Sequence, residues 1–119
     1  IKLPVSAPFH CKLMEKATSM MRDKINNTNF EKPKNLIISN VTGQETQEIE
    51  KIKDLLIKQI ESPVRWRESV IYMIKNGVTN FIEIGPGKVL SGLVKRIDKT
   101  INVNTINKIE DLKNIKLND

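Results

Sequence analysis

The sequence contains few of the residues that build metal sites and disulfide frameworks. Its 119 residues include one cysteine and one histidine, which excludes an internal disulfide and cannot supply the ligands of a structural zinc site. No apolar run approaches the roughly 20 residues that cross a bilayer, so we predict no membrane-spanning segment and no membrane partner. There is no Gly-x-Ser-x-Gly nucleophile turn, no complete Walker loop and no dinucleotide fingerprint. These absences predict neither a resident metal nor a cofactor.

The positive charge comes almost entirely from lysine. The formal net charge is +6, and lysine outnumbers arginine 16 to 4. Nucleic-acid binders more often present arginine, aromatic residues and a dense basic cluster, whereas these lysines are scattered along the chain and often stand near acidic residues. The charge therefore favours an acidic protein partner and no nucleic acid. A basic nucleic-acid-binding module is the alternative that charge alone leaves open.

Hydrophobic periodicity predicts one small α/β domain. Hydrophobic residues make up 39% and charged residues 29% of the chain, as in ordinary globular proteins. Strands that alternate with helices form parallel sheets through crossovers, and three strands are few for such a sheet, so we expect the sheet to be incomplete.

Apolar stripes predict helices over residues 11–26, with Leu13 and Met20 in the stripe, and over residues 49–60, with Leu55 and Leu56 in the stripe. A third helix starts at Trp66 and ends at the Asn76-Gly77 stop, and a fourth covers residues 89–97. Asn107 with Glu110 predicts the cap of a last short helix that reaches Ile115. The predicted strands cover residues 36–41, read as a buried strand, 80–84 and 101–106.

His10 is the first candidate for chemistry. It follows a segment, residues 3–9, that two prolines hold extended, and it stands where the first helix begins. A histidine near pH 7 can take a proton from a hydroxyl or a thiol and return it; a purely structural histidine at a helix start is the competing interpretation. Cys11 is adjacent, and neighbouring residues of a helix do not face each other, so Cys11 and His10 are poorly placed to act as a catalytic Cys-His pair. We therefore interpret Cys11 as a buried small thiol.

The turn Gly85-Pro86-Gly87-Lys88 joins a predicted strand to a predicted helix. Backbone N–H groups at such a turn could hold an anion. A tight turn in which the proline sets the entry to the helix is the interpretation that the residues favour.

Four motifs, spread in order from residue 3 to residue 97, resemble those of the malonyl-CoA:acyl carrier protein transacylases. The first is Leu3-Pro-Val-Ser-Ala-Pro-Phe-His10-Cys-Lys-Leu-Met14, and the second is Ile38-Ser-Asn-Val-Thr42. The third is Gln59-Ile-Glu-Ser-Pro63-Val-Arg-Trp66. The fourth runs from Phe81 through the Gly-Pro-Gly turn to Ile97. The resemblance covers only the C-terminal portion of such an enzyme.

The resemblance implies a fold and an activity. Residues 1–119 would be the C-terminal part of the α/β-hydrolase-like large subdomain of an acyltransferase, an incomplete parallel sheet flanked by helices. The family moves a malonyl group from malonyl-CoA to the phosphopantetheine thiol of acyl carrier protein, through an acyl-serine intermediate, in fatty acid biosynthesis. Both thioesters are substrates and no cofactor is implied. A cytoplasmic enzyme with acyl carrier protein as partner is expected.

The resemblance also implies roles for particular residues. His10 would be the general base, and Gln59 would support it, because in the family backbone carbonyls near this glutamine orient the imidazole. Cations that follow the Gly-Pro-Gly turn are candidates for docking the acidic carrier: Lys88, Lys95, Arg96 and Lys99. Lys95 and Lys99 are four residues apart and are expected to share one helix side, which favours docking. A solvated helix face in a lysine-rich chain is the alternative for these four.

The family's serine, its malonate-binding arginine, its oxyanion loop and its ferredoxin-like subdomain match nothing in these residues. The chain opens on Ile1 rather than methionine, and we expect it to need the N-terminal portion of the same enzyme as a partner. Alone, it is expected to be inactive and poorly soluble. The alternative function is a non-catalytic product of a split or decayed gene that acts, if at all, as an interaction module. The coding sequence upstream of Ile1 discriminates between these possibilities.

Overall fold

The computed structural model describes residues 8–114, which divide into two compact units at the boundary between Ser69 and Val70. The extended segment predicted for residues 3–9 lies outside the described residues except at Pro8 and Phe9. The first unit combines helices with a small antiparallel sheet, and the second combines helices with a small parallel sheet. This confirms the α/β class. In the described part of the chain, no helix is long and apolar enough to cross a membrane.

The first unit contains two helices and a short hairpin. A 3₁₀ turn at Lys12–Met14 leads into α1 (Glu15–Asn27), and α2 covers Ile49–Gln59. Between them, β1 (Ile37–Ile38) pairs antiparallel with β2 (Glu45–Thr46). The core of this unit includes three residues of α2: Ile52, Leu55 and Ile57.

Lys53 of α2 fastens the end of α1. Its ammonium donates to the carbonyl of Asn26 at 3.2 Å and lies 5.4 Å from the centre of the Phe30 ring. The last carbonyls of a helix have no partner within the helix and carry its partial negative charge. A cation at this position therefore satisfies one carbonyl and holds the two helices together.

The strand predicted over residues 36–41 is wrong in length, burial and pairing. Only Ile37–Ile38 is extended in a ladder, Leu36 is 57% exposed, and the strand belongs to a hairpin rather than to the parallel sheet. The chain reverses after Ser39, because a tight turn that ends at Gly43 brings it back to β2. The β-branched residues of this segment favour a buried strand, but the turn that follows pairs it with β2.

The second unit is a βαβ arrangement preceded by a helix. The helix α3 (Trp66–Lys75) crosses the boundary between the units and ends at Lys75, directly before the predicted Asn76-Gly77 stop. The strands β3 (Asn80–Ile84) and β4 (Asn102–Ile106) pair in parallel and are joined through α4 (Val89–Ile97). The predicted strand over residues 80–84 is confirmed at both ends. The buried residues Val70, Val94 and Ile101 form the core.

The last predicted helix is a 3₁₀ helix, Ile109–Asn114, and Ile115 lies outside the described residues. The carboxylate of Asp111 accepts hydrogen bonds from the backbone N–H groups of Asn107 at 2.9 Å and Lys108 at 3.1 Å. The predicted pairing of Asn107 with Glu110 is therefore replaced by a bond one residue further along the chain.

Several apolar residues that the periodicity assigned to the core are exposed. Leu13 is 79% exposed and Met20 is 67% exposed, although both belong to the predicted stripe of α1. On β3, Glu83 reaches towards α4, while Ile82 on the opposite face is 38% exposed and Ile84 is 78% exposed. One face of the two-stranded sheet and one side of α1 are thus open to solvent.

The burial of α2 yields a paired prediction. Leu55 is 8% exposed and its neighbour Leu56 is 44% exposed, although both carry the predicted stripe. Leu55→Ala should lower the free energy of unfolding by about 2–5 kcal/mol, because it leaves a cavity in the core. Leu56→Ala should lower it much less. Chemical denaturation of both variants checks this, and equal losses would contradict the assignment of the buried face.

Candidate functional site

His10 lies in a turn immediately before the first 3₁₀ helix and is exposed to solvent. Its φ of +60° falls in the left-handed region, which residues other than glycine seldom occupy. The thiol of Cys11 donates a hydrogen bond to the backbone carbonyl of Pro8 at 3.1 Å, which links the two ends of this turn. Cys11 is half-buried, so the interpretation of Cys11 as a buried small thiol is wrong in its burial.

The imidazole of His10 is held by the main chain of α2. Its Nδ1 lies 2.9 Å from the backbone carbonyl oxygen of Gln59. A carbonyl oxygen can only accept a hydrogen bond, so Nδ1 carries the proton and donates it. Nε2 therefore holds the lone pair and is the nitrogen that can take a proton from another group. The structure brings together the two residues that the sequence proposed as base and support.

The side-chain amide of Gln59 has a different partner. Its Nε2 lies 3.4 Å from Nδ1 of His10 and 3.3 Å from the carbonyl oxygen of Ser62. Nδ1 already donates to the backbone, so two donors face each other at the longer distance and no hydrogen bond forms there. The amide donates to Ser62 instead, and only the backbone of Gln59 orients the ring.

The acceptor carbonyl is available because Gln59 is the last residue of α2. The two preceding carbonyls, of Ile57 and Lys58, accept from the N–H groups of the next turn, whereas the Gln59 carbonyl accepts from His10. Carbonyls at a helix C-terminus carry partial negative charge. This end of α2 thus stabilises the positive charge that the ring acquires when Nε2 is protonated, a task that a carboxylate performs in hydrolytic triads.

The Gly85-Pro86-Gly87 turn is occupied by groups of the protein itself. Both carboxylate oxygens of Glu83 accept hydrogen bonds at the start of α4, from Leu90 N at 3.1 Å and from Ser91 N at 2.8 Å and its hydroxyl at 2.5 Å. Gly87 N donates to the side chain of Asn107 at 2.7 Å. A carboxylate already fills the position that an anion would take, which supports the interpretation as a tight turn.

The four candidate docking cations lie around α4. Lys88 precedes the helix, Arg96 lies in its last turn, and Lys99 follows it. All are exposed. The ammonium of Lys95 donates to the carbonyl oxygens of Ile101 at 2.5 Å and Lys99 at 3.4 Å. Because α4 ends at Ile97, the expectation that Lys95 and Lys99 share one helix side is wrong.

Sequence reasoning missed the contacts of two polar side chains that shape the Gly85-Pro86-Gly87 turn and the start of α4, Glu83 and Asn107. The contact of Glu83 could have been predicted, because an acidic residue shortly before a helix N-terminus is a candidate partner for the unpaired N–H groups of that helix. The contact between Asn107 and Gly87 joins residues 20 positions apart, and no such local signal predicts it. Among the described residues, no three side chains are grouped as ligands for a metal ion.

Comparison with known proteins gives a consistent result. No protein-family model matches the chain. A malonyl CoA-acyl carrier protein transacylase of Staphylococcus aureus is 40% identical over 117 residues, which are 98% of this chain and 38% of that protein. The crystal structure of a transacylase of the same name from Clostridium perfringens is 41% identical, with a TM-score of 0.88 over 96% of this chain and 36% of that one.

A further structure contains a malonyl-transacylase in complex with its type II polyketide synthase acyl carrier protein. It is 37% identical, with a TM-score of 0.86 over 93% of this chain and 36% of that one. The chain thus spans a little over a third of the length of the proteins it matches. These similarities confirm the resemblance that the four motifs indicated.

The hydrogen bonds to Glu83 predict a pH dependence. Bonds from the hydroxyl and the N–H of Ser91, together with that from Leu90 N, lower the pKa of Glu83. The carboxylate therefore stabilises the fold above its ordinary pKa, and this contribution is lost as pH falls through the lowered folded-state pKa. Glu83→Gln should reduce stability at pH 7 and flatten the loss of stability on acidification. Thermal unfolding against pH checks this.

The matched control for that experiment is Glu31→Gln, which removes the same charge from an exposed residue of the first unit. We expect its acid profile to follow that of the unmodified protein. If Glu83→Gln leaves the acid profile unchanged as well, the carboxylate does not stabilise the start of α4.

Proposed function

We propose a function on the premise that this chain is homologous to one segment of the malonyl CoA-acyl carrier protein transacylases. The segment carries the general base for transfer of a malonyl group from malonyl-CoA to the phosphopantetheine thiol of acyl carrier protein. The observation that carries the proposal is the bond from Nδ1 of His10 to the Gln59 carbonyl, which leaves Nε2 as a base. A serine outside these residues supplies the nucleophile.

Each half-reaction uses Nε2 of His10 twice. As the serine oxygen attacks the thioester carbonyl, its proton moves to Nε2, and the imidazolium returns a proton to the departing coenzyme A sulfur. An acyl-serine ester remains. In the second half, the carrier thiol gives its proton to Nε2 and attacks the ester, and the serine oxygen recovers a proton from the ring. The backbone acceptor on Nδ1 keeps the ring in the required tautomer throughout.

The exposed apolar faces support the proposal that the rest of the family's fold is a partner of this segment. Leu13, close to His10 in sequence, and Ile84, at the end of β3, are 79% and 78% exposed. We propose that the segment bearing the serine covers such faces and brings the hydroxyl to Nε2. Since these 119 residues contain no Gly-x-Ser-x-Gly turn, we propose that they are inactive by themselves.

Acyl carrier protein is the proposed acceptor, and the exposed cations around α4 are its proposed contact. The complex of a related malonyl-transacylase with an acyl carrier protein supports the class of partner. Lys88, Arg96 and Lys99 are exposed and available to an acidic surface. Lys95 belongs to the same predicted set, and its bonds to two backbone carbonyls give it a structural role as well, in the loop between α4 and β4.

The first test concerns the base. In the full-length enzyme, His10→Ala and His10→Asn should each lower kcat for malonyl transfer by about 10²- to 10⁴-fold, because the proton acceptor is lost. Asparagine tolerates the left-handed backbone of this position better than alanine does. Equal losses of activity with an intact circular dichroism spectrum would separate lost chemistry from backbone strain. Near-normal turnover in either variant would remove His10 from the mechanism.

The second test concerns the carrier. In the full-length enzyme, Arg96→Glu with Lys99→Glu should raise KM for acyl carrier protein, by up to about fivefold for each exposed charge pair lost. Added salt should shrink the effect, since exposed charges are screened beyond roughly 8–10 Å. Loading of the serine from malonyl-CoA should not change, because the carrier takes no part in it.

Two controls complete the second test. Lys32→Glu makes the same kind of charge reversal on an exposed lysine of the first unit and should leave KM for the carrier unchanged. Lys95→Glu should lower thermal stability as well, since its ammonium bonds the carbonyl of Ile101. An equal loss in both half-reactions for Arg96→Glu with Lys99→Glu would assign these cations to the fold or to coenzyme A instead.

A further inference from the structure

The hairpin turn between β1 and β2 fits closely against the start of α3. Gly43 ends this turn with a φ of +69°, is buried, and donates its N–H to the carbonyl of Ser39 at 2.7 Å. A β-carbon at Gly43 would lie 3.1 Å from Cβ of Glu68 and 3.5 Å from the backbone nitrogen of Ser69. Cβ of Glu68 is fixed to the helix backbone, so it cannot rotate out of the way.

A backbone hydrogen bond joins the same turn to the residue that precedes α3. The carbonyl of Asn40 accepts from Arg65 N at 2.9 Å. The carbonyl of Arg65 in turn accepts from both the N–H of Ser69 at 3.0 Å and its hydroxyl at 2.8 Å. Ser69 is only 3% exposed. The turn and the first turn of α3 therefore form one packed assembly.

This assembly fixes one end of the loop whose other end holds the imidazole. The loop begins at Gln59, whose carbonyl accepts from His10, and reaches Arg65 six residues later. Within it, the Gln59 amide donates to the carbonyl of Ser62 at 3.3 Å. A backbone acceptor has no side-chain rotamers with which to adjust, so its position depends on the packing of this loop at both ends.

We infer that Gly43 is a positioning residue for His10: its lack of a side chain lets the hairpin turn seat against α3 and hold the loop that presents the Gln59 carbonyl. The inference rests on the proposed function. It assigns no contact between Gly43 and substrate. The inference connects the hairpin turn between β1 and β2, which takes no part in the chemistry, to the hydrogen bond between His10 Nδ1 and the Gln59 carbonyl, which orients the base.

An added methyl group at Gly43 has a predictable effect. At 3.1 Å, either the helix or the turn must give way by a few tenths of an ångström. That movement is passed through the bond between Arg65 and Asn40 to the loop. Misplacement of a catalytic group by about 1 Å can cost on the order of 100-fold in rate. A smaller shift should therefore lower kcat by roughly tenfold.

The experiment compares Gly43→Ala with Gly77→Ala in the full-length enzyme. Gly77 also has a positive φ, +89°, but among the described residues nothing lies within 4 Å of a β-carbon placed there. Both variants carry backbone strain, and only one creates the steric contact. Gly43→Ala should lower kcat about tenfold with KM for malonyl-CoA unchanged. Gly77→Ala should retain wild-type kcat at a temperature where both variants remain folded.

A second readout follows the hydrogen bond itself. The NMR signal of the His10 ring N–H, identified by its absence in His10→Asn, should shift or exchange faster in Gly43→Ala and remain unchanged in Gly77→Ala. Adding Glu68→Gly to Gly43→Ala removes the Cβ that the new methyl group meets and should restore both kcat and the signal. Glu68→Gly alone serves as its control.

The outcomes separate the two proposals. If the unmodified full-length enzyme transfers no malonyl group, the proposed function fails, whatever the variants do. If it does transfer the group and Gly43→Ala keeps its kcat and ring signal, the positioning inference is overturned. Equal losses in Gly43→Ala and Gly77→Ala, or no rescue by Glu68→Gly, would also overturn it, since general destabilisation would then account for the effect.

Discussion

The hydrogen bond from Nδ1 of His10 to the carbonyl of Gln59 is the constraint around which the first unit is arranged. A neutral backbone group stands where many hydrolytic sites use a carboxylate. Such an acceptor is part of a helix and cannot rotate as a side chain can. The orientation of the imidazole therefore depends on where α2 ends, and through that on the buried residues Ile52, Leu55 and Ile57.

In the second unit, the unpaired groups are the N–H donors at the start of a helix rather than the carbonyls at its end. Unpaired N–H groups at the beginning of α4 meet the carboxylate of Glu83, whereas the unpaired carbonyl at the end of α2 meets an imidazole. Each partner complements the partial charge of its helix end. The consequences differ: Glu83 occupies the N–H groups that could have held a ligand, whereas the bond of His10 to the helix end is made at Nδ1 and does not involve Nε2.

The sequence determined features that depend on local signals. The strand Asn80–Ile84 lies between an Asn-Gly helix stop and a glycine-rich turn, and both of its ends were predicted. The association of His10 with Gln59 came from family motifs, since 49 residues separate them and no periodicity connects them. The prediction for residues 36–41 is wrong because a run of β-branched residues favours an extended chain but does not determine which strand that chain pairs with.

The largest mismatch between sequence pattern and burial concerns apolar residues within the family motifs. Leu13 lies in the first motif, three residues after His10, and Ile84 lies in the fourth, directly before the Gly-Pro-Gly turn, yet both are more than three-quarters exposed. A hydrophobic pattern records that a face is suited to burial, and it carries no information about which part of a fold covers that face. The matched proteins are between two and three times as long as this chain. Hydrophobic periodicity over about a third of such a fold therefore identifies more core positions than these residues alone can bury. Contacts between residues close in sequence, such as that of Glu83 with Ser91, need no other part of the fold and are present in this chain.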